Sequence, residues 1–118
     1  MSSKHRVLIK RVYDDVAKAD GFRVLVDRVW PRGITKEAAA VDEWLKEAGP
    51  STELRKWFRH DPERFEEFAK RYRSELKGSD ALKTLRGFHR EHTVLTLVFS
   101  AKDSDHNQAV VLRDLLQG

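Results

Sequence analysis

Thr93-Val94-Leu95-Thr96-Leu97-Val98-Phe99 is the stretch on which the fold turns. It is continuous, mostly β-branched and free of polar alternation, which predicts a strand buried on both faces. Strands of that kind belong to parallel sheets with helices packed against them. The flanking sequence agrees. Upstream, Ser79 caps a predicted helix with Leu82, Leu85 and Phe88 apolar. Downstream, residues 100–103 read as a loop. Ser104 or Asp105 is expected to cap a last helix through Leu116, with Ala109, Leu112 and Leu116 inward.

Working further out, residues 7–12 read as a first strand and 22–29 as a second, whose central Val24-Leu25-Val26 run again suggests burial on both faces. Trp30-Pro31-Arg32-Gly33 stops it, because proline lacks a ladder donor and glycine allows a sharp turn. Residues 35–40 predict a short helical turn. Residues 41–48 stay open between helix and strand: Val41, Trp44, Leu45 and Ala48 fit helical spacing, while the Val-Asp-Glu-Trp-Leu order fits a strand edge. Beyond Gly49-Pro50, Ser51 or Thr52 caps a helix presenting Leu54, Trp57 and Phe58. Asp61-Pro62 then opens another, with Phe65, Phe68, Tyr72 and Leu76 on one side. Glu66 with Lys70 and Glu67 with Arg71 are spaced as exposed pairs on that helix, and Gly78 ends it. The alternation predicts an α/β fold: one small domain over residues 1–118, with a mostly parallel three- to four-stranded sheet flanked by helices and residues 1–5 flexible.

The 118 residues are 40% hydrophobic and 36% charged, which excludes a disordered chain because the apolar residues come in periodic blocks. No apolar run is long enough to span a bilayer. Cysteine is absent, which removes disulfides, thiolate nucleophiles and Cys-ligated zinc and favours a cytoplasmic location. The net charge is +4, and residues 1–36 carry the surplus, with nine basic and four acidic residues. That bias suits an anionic partner.

In open parallel sheets ligands bind beyond the carboxyl ends of the strands. Arg28 and Arg32 bracket the Trp30-Pro31 corner there, and an arginine fork suits phosphate or carboxylate. Gly33, Ser51, Arg55 and the helix start at His106 and Asn107 complete a predicted arginine-rich pocket for a small anionic ligand. His60, Asp27 and Tyr13 are candidates to move a proton if chemistry occurs, with Asp27 expected to stay ionised beside two arginines. His89 and His92 read as surface residues at the opposite end of the sheet. No metal or cofactor is expected: the His-rich metal motifs, the Walker loop and the dinucleotide glycine pattern are all missing. Asp103, Asp105 and His106 offer at most a weak ligand set. The alternative is a nucleic-acid-binding accessory protein that uses Lys4, Lys10 and Lys18, with Tyr13 and Trp30 as stacking surfaces.

Three stretches also carry a likeness: Lys10-Arg11-Val12-Tyr13, Asp20 through Gly33 with Val26-Asp27-Arg28-Val29-Trp30-Pro31-Arg32-Gly33 at its centre, and Pro50 through Pro62. Together with Asn107, they closely resemble the YeaO-like family of bacterial proteins, the domain-of-unknown-function family number 488. The likeness covers nearly the whole chain. It implies a small stand-alone bacterial α/β domain and supplies no settled activity or catalytic residues.

Overall fold

The computed structural model describes residues 5–117, so most of the segment expected to be flexible, and Lys4 with it, lies outside the described residues. Four strands form one parallel sheet: β1 (Arg6–Arg11), β2 (Phe22–Leu25), β3 (Glu43–Trp44) and β4 (Val94–Phe99), in the order β1-β4-β2-β3. The stretch that decides the fold is therefore central, paired with β1 from Arg6↔Val94 to Arg11↔Phe99 and with β2 from Phe22↔Leu95 to Leu25↔Val98. Its residues Leu95–Phe99 are all buried, which explains the missing polar alternation.

Alternate residues of the strands feed two cores. Val7, Val24, Val26, Leu95, Leu97 and Phe99 face a thick layer made of α2 (Thr52–Phe58), α3 (Phe65–Leu76), α4 (Asp80–Glu91) and α5 (Gln108–Gln117). Val12, Leu25 and Val98 face a thin one, covered by Ala39 of the four-residue α1 (Lys36–Ala39) with Trp30, Ile34 and Val41. The β1–β2 connection also crosses this thin side. Asp20 sits beneath it, 6% exposed, and accepts from Arg23 Nη1 at 2.7 Å, from Lys10 Nζ at 3.1 Å and from the Ala17 N–H at 3.0 Å. Arg23 continues into the Ala39 and Ala40 carbonyls at 2.8 and 3.1 Å. One carboxylate thus ties β1, β2 and the thin cover together.

The caps follow local chemistry. Thr35, Ser51 and Ser79 each accept the backbone N–H three residues on, and Asp61 caps a 3-10 turn (Pro62–Arg64) that runs into α3. Of the two readings left open for residues 41–48, the strand holds at Glu43–Trp44, and only a 3-10 turn (Lys46–Ala48) follows it in place of a helix.

Several expectations need correction. The second strand ends at Leu25, four residues early, because the backbone bends at residues 28–29, where the Arg28 side chain is anchored to the Gly49 and Pro50 carbonyls. The last helix is capped by Asn107, not Ser104 or Asp105. Asn107 Oδ1 accepts from Ala109 N at 2.8 Å, while Asp103 Oδ1 already takes the N–H groups of Asp105 and His106. Glu67–Arg71 closes at 2.8 Å, but Glu66 and Lys70 do not pair, as befits two solvated side chains. His89 and His92 are not free surface groups. His92 stacks on Phe22 at 4.0 Å, and the half-buried His89 keeps a buried Nε2 without a partner.

Tyr72 is fully buried, and its hydroxyl donates to the Ala48 carbonyl. Burial, with the negative charge of Glu75, pushes this phenol well above the usual range, so it acts as a neutral donor. Tyr72→Phe leaves that carbonyl without its donor. The expected loss is about 1–2 kcal/mol, read as a lower denaturant midpoint with unchanged m-value.

Candidate functional site

At the carboxyl ends of β2 and β4 the chain leaves toward opposite faces. After β2 it passes to the thin side and α1. After β4 it passes to the thick side and α5. Between such neighbours a crevice opens. It holds a cavity of about 420 Å³. Asp27, Arg28 and Val29 line it from the β2 side, and Ser100, Ala101, Asn107 and Gln108 from the β4 side. Pro50, Thr52, Arg55, Lys56 and Phe58 close it with His60 and Phe68. Its walls are apolar where Phe58 stacks on Phe68 at 4.2 Å, and cationic where Arg55 and Lys56 reach solvent.

Five of the predicted site residues therefore meet: Asp27, Arg28, Arg55, His60 and Asn107. The others do not line this cavity. Trp30 sits in the thin cover with its ring against Trp44 at 5.3 Å and donates from Nε1 to Ile34 O. Arg32 is exposed, and its carbonyl accepts from the Tyr13 hydroxyl at 2.7 Å, which takes Tyr13 out as well. Gly33 turns in the same exposed loop. Ser51 is spent on capping α2 and on Glu75, and His106 turns to Asp103 at 2.9 Å. The tryptophan–proline corner thus does not line the cavity that the start of α5 borders. The hollow lies between α5 and the Asp27-Arg28 pair just before that corner.

Arg28 is positioned rather than free. Its Nη2 donates to Gly49 O at 2.7 Å and its Nε to Pro50 O at 2.9 Å. That grip requires glycine at 49, where a Cβ would lie 2.8 Å from the Arg28 nitrogen. Asp27, 8% exposed, accepts from the Ser100 N–H at 3.1 Å and from the Gln108 amide. Burial pushes its carboxyl above the usual range, against those bonds and the attraction of Arg55. His60 follows Arg59 in a left-handed pair, φ 55° and 53°, which ends α2 and brings His60 to the cavity.

Gln108, Lys56, Thr52 and Ser100 line the cavity but were not among the predicted site residues. Gln108 escapes a reading that starts the last helix at 104 or 105, and a lysine beside an arginine on a short helix gives no local signal. Four of the nine basic residues of positions 1–36 are also committed within the protein. Lys10 and Arg23 share Asp20, Arg28 holds carbonyls, and Arg11 donates to Ala101 O at 2.9 Å and Ser100 O at 3.2 Å.

Among the described residues, no group of three or more histidines and carboxylates is arranged to hold a metal ion, and no helix is long and apolar enough to cross a membrane. A family profile described as the inactive DUF488-N3 subclade matches residues 6–118. The chain belongs to that family. An uncharacterised protein of Mycobacterium tuberculosis strain H37Rv is 47% identical over 118 residues, covering 100% of this chain and 99% of its own length. One of Mycobacterium bovis is equally similar. The uncharacterised protein YeaO of Escherichia coli is 44% identical over 108 residues, 92% of this chain and 94% of its own. No solved structure matches this DUF488 chain.

Proposed function

We propose that this domain, one unit over the whole chain, binds a small anionic compound in the crevice between β2 and β4, carrying a phosphate or carboxylate to Arg55. The observation that supports this reading is the coincidence of a cavity with the crevice that the sheet topology predicts, with Arg55 and Lys56 at its exposed side. His60 adds a third group able to carry positive charge. The family's description as inactive favours binding without turnover, and a cytoplasmic setting belongs to the same reading. The nucleic-acid alternative is the weaker one, since Lys10, Arg11, Arg23 and Arg28 are already bonded within the protein.

The test is thermal melting with phosphate, sulfate and nucleotides. A ligand at about a hundredfold excess over Kd raises Tm by about 10 °C for a chain of this size. Arg55→Ala should weaken the anion about tenfold and roughly halve that rise. No shift for the wild type, or an equal shift for Arg55→Ala, overturns the proposal.

A further inference from the structure

Asp27 is a buried carboxylate without a counter-ion. Its donors among the described residues, the Ser100 N–H and hydroxyl and the Gln108 amide, are all neutral. Among the described residues no lysine, arginine or histidine forms an ion pair with it. The neighbouring Arg28 guanidinium is turned to the Gly49 and Pro50 carbonyls. Arg55 attracts Asp27 without touching it. Taking a carboxylate out of water is costly, and neutral hydrogen bonds offset that only in part. The carboxylate nevertheless borders open cavity space instead of packed side chains.

The uncompensated negative charge at the buried side and the cations at the exposed side give the cavity two poles. We infer that it takes a ligand carrying both an ammonium and an anion, the ammonium seated on Asp27 and the carboxylate or phosphate on Arg55 and Lys56. The apolar part of such a ligand lies against Phe58 and Phe68. A volume of about 420 Å³ is in the range of sites for small molecules. This inference rests on the proposed anion site and adds the second charge.

Isothermal titration calorimetry on the full chain tests it with leucine, phenylalanine and phosphoethanolamine, each carrying both charges. The comparison probes are N-acetylleucine and inorganic phosphate, which keep only the anion, and isoamylamine, which keeps only the ammonium. At least one doubly charged probe is expected to bind about tenfold or more tighter than its singly charged counterparts. Leucine against phosphoethanolamine identifies the anionic group. Asp27→Asn should erase the preference for leucine over N-acetylleucine, whereas Arg55→Ala should weaken both alike. If N-acetylleucine or phosphate binds as tightly as the doubly charged probes, the second charge is refuted and the anion site stands. If no probe binds, both fall. The wild-type comparison needs no variant, so it decides the matter even if Asp27→Asn fails to fold.

Discussion

Asp20→Asn is expected to destabilise the fold by about 3–5 kcal/mol, which is a large part of the stability of a domain this size. The substitution is nearly isosteric, so packing hardly changes. What changes is the compensation of Arg23, 3% exposed, and of Lys10, both of which lose their counter-charge while remaining where the fold puts them. The pH dependence has a definite sign. Burial works to raise the Asp20 carboxyl, but the bonds from Ala17, Lys10 and Arg23 outweigh it and hold the folded value below the ordinary one. Its stabilisation is therefore complete above the ordinary aspartate range and is lost as pH falls through that range toward the lower folded value. Urea titrations across that window should show the wild type losing stability more steeply than Asp20→Asn. Parallel curves would show that Asp20 does not hold the two cations.

Gly21→Ala should cost about as much, about 3–5 kcal/mol, for a steric reason. Gly21 has φ +63°, and a Cβ there would lie 2.4 Å from the Val94 carbonyl oxygen and 2.8 Å from the Val94 Cβ. The strained backbone and the forced shift of the central strand each contribute a few kcal/mol. Gly78→Ala is the control. Its φ is also positive, +73°, but nothing lies within 4 Å, so only the backbone term of about 1 kcal/mol applies. Equal midpoints in chemical denaturation for the two variants would contradict the close approach of residue 21 to β4.

What was legible in the sequence was local. Ser51, Asp61 and Ser79 announce their helix starts because a cap needs only its own next turn, and the run at 93–99 announces a central strand by composition alone. The start of α5 was missed because residues 103–107 offer four cap-competent side chains within five positions, and of these Asn107 takes the Ala109 N–H in the first turn. The site divided in the same way. The topology rule pointed to the end of the sheet where the cavity lies, and Asp27, Arg28, Arg55, His60 and Asn107 line it. It could not separate Arg28 from Arg32, because the use of a guanidinium depends on which carbonyls come within reach. Gly49 brings two of them to Arg28, through an approach encoded about twenty residues away.

The strand order has a consequence for how the protein is made. β1 and β2 are never neighbours: each bonds to β4, which follows β2 in the chain by some seventy residues. Two finished strands must therefore wait, with their hydrogen-bonding edges unmet, while some seventy further residues are synthesised. Insertion of residues 94–99 then closes both ladders at once. Sheet assembly is thereby dominated by contacts distant in sequence, the regime in which folding is slow and exposed edges invite chaperone capture.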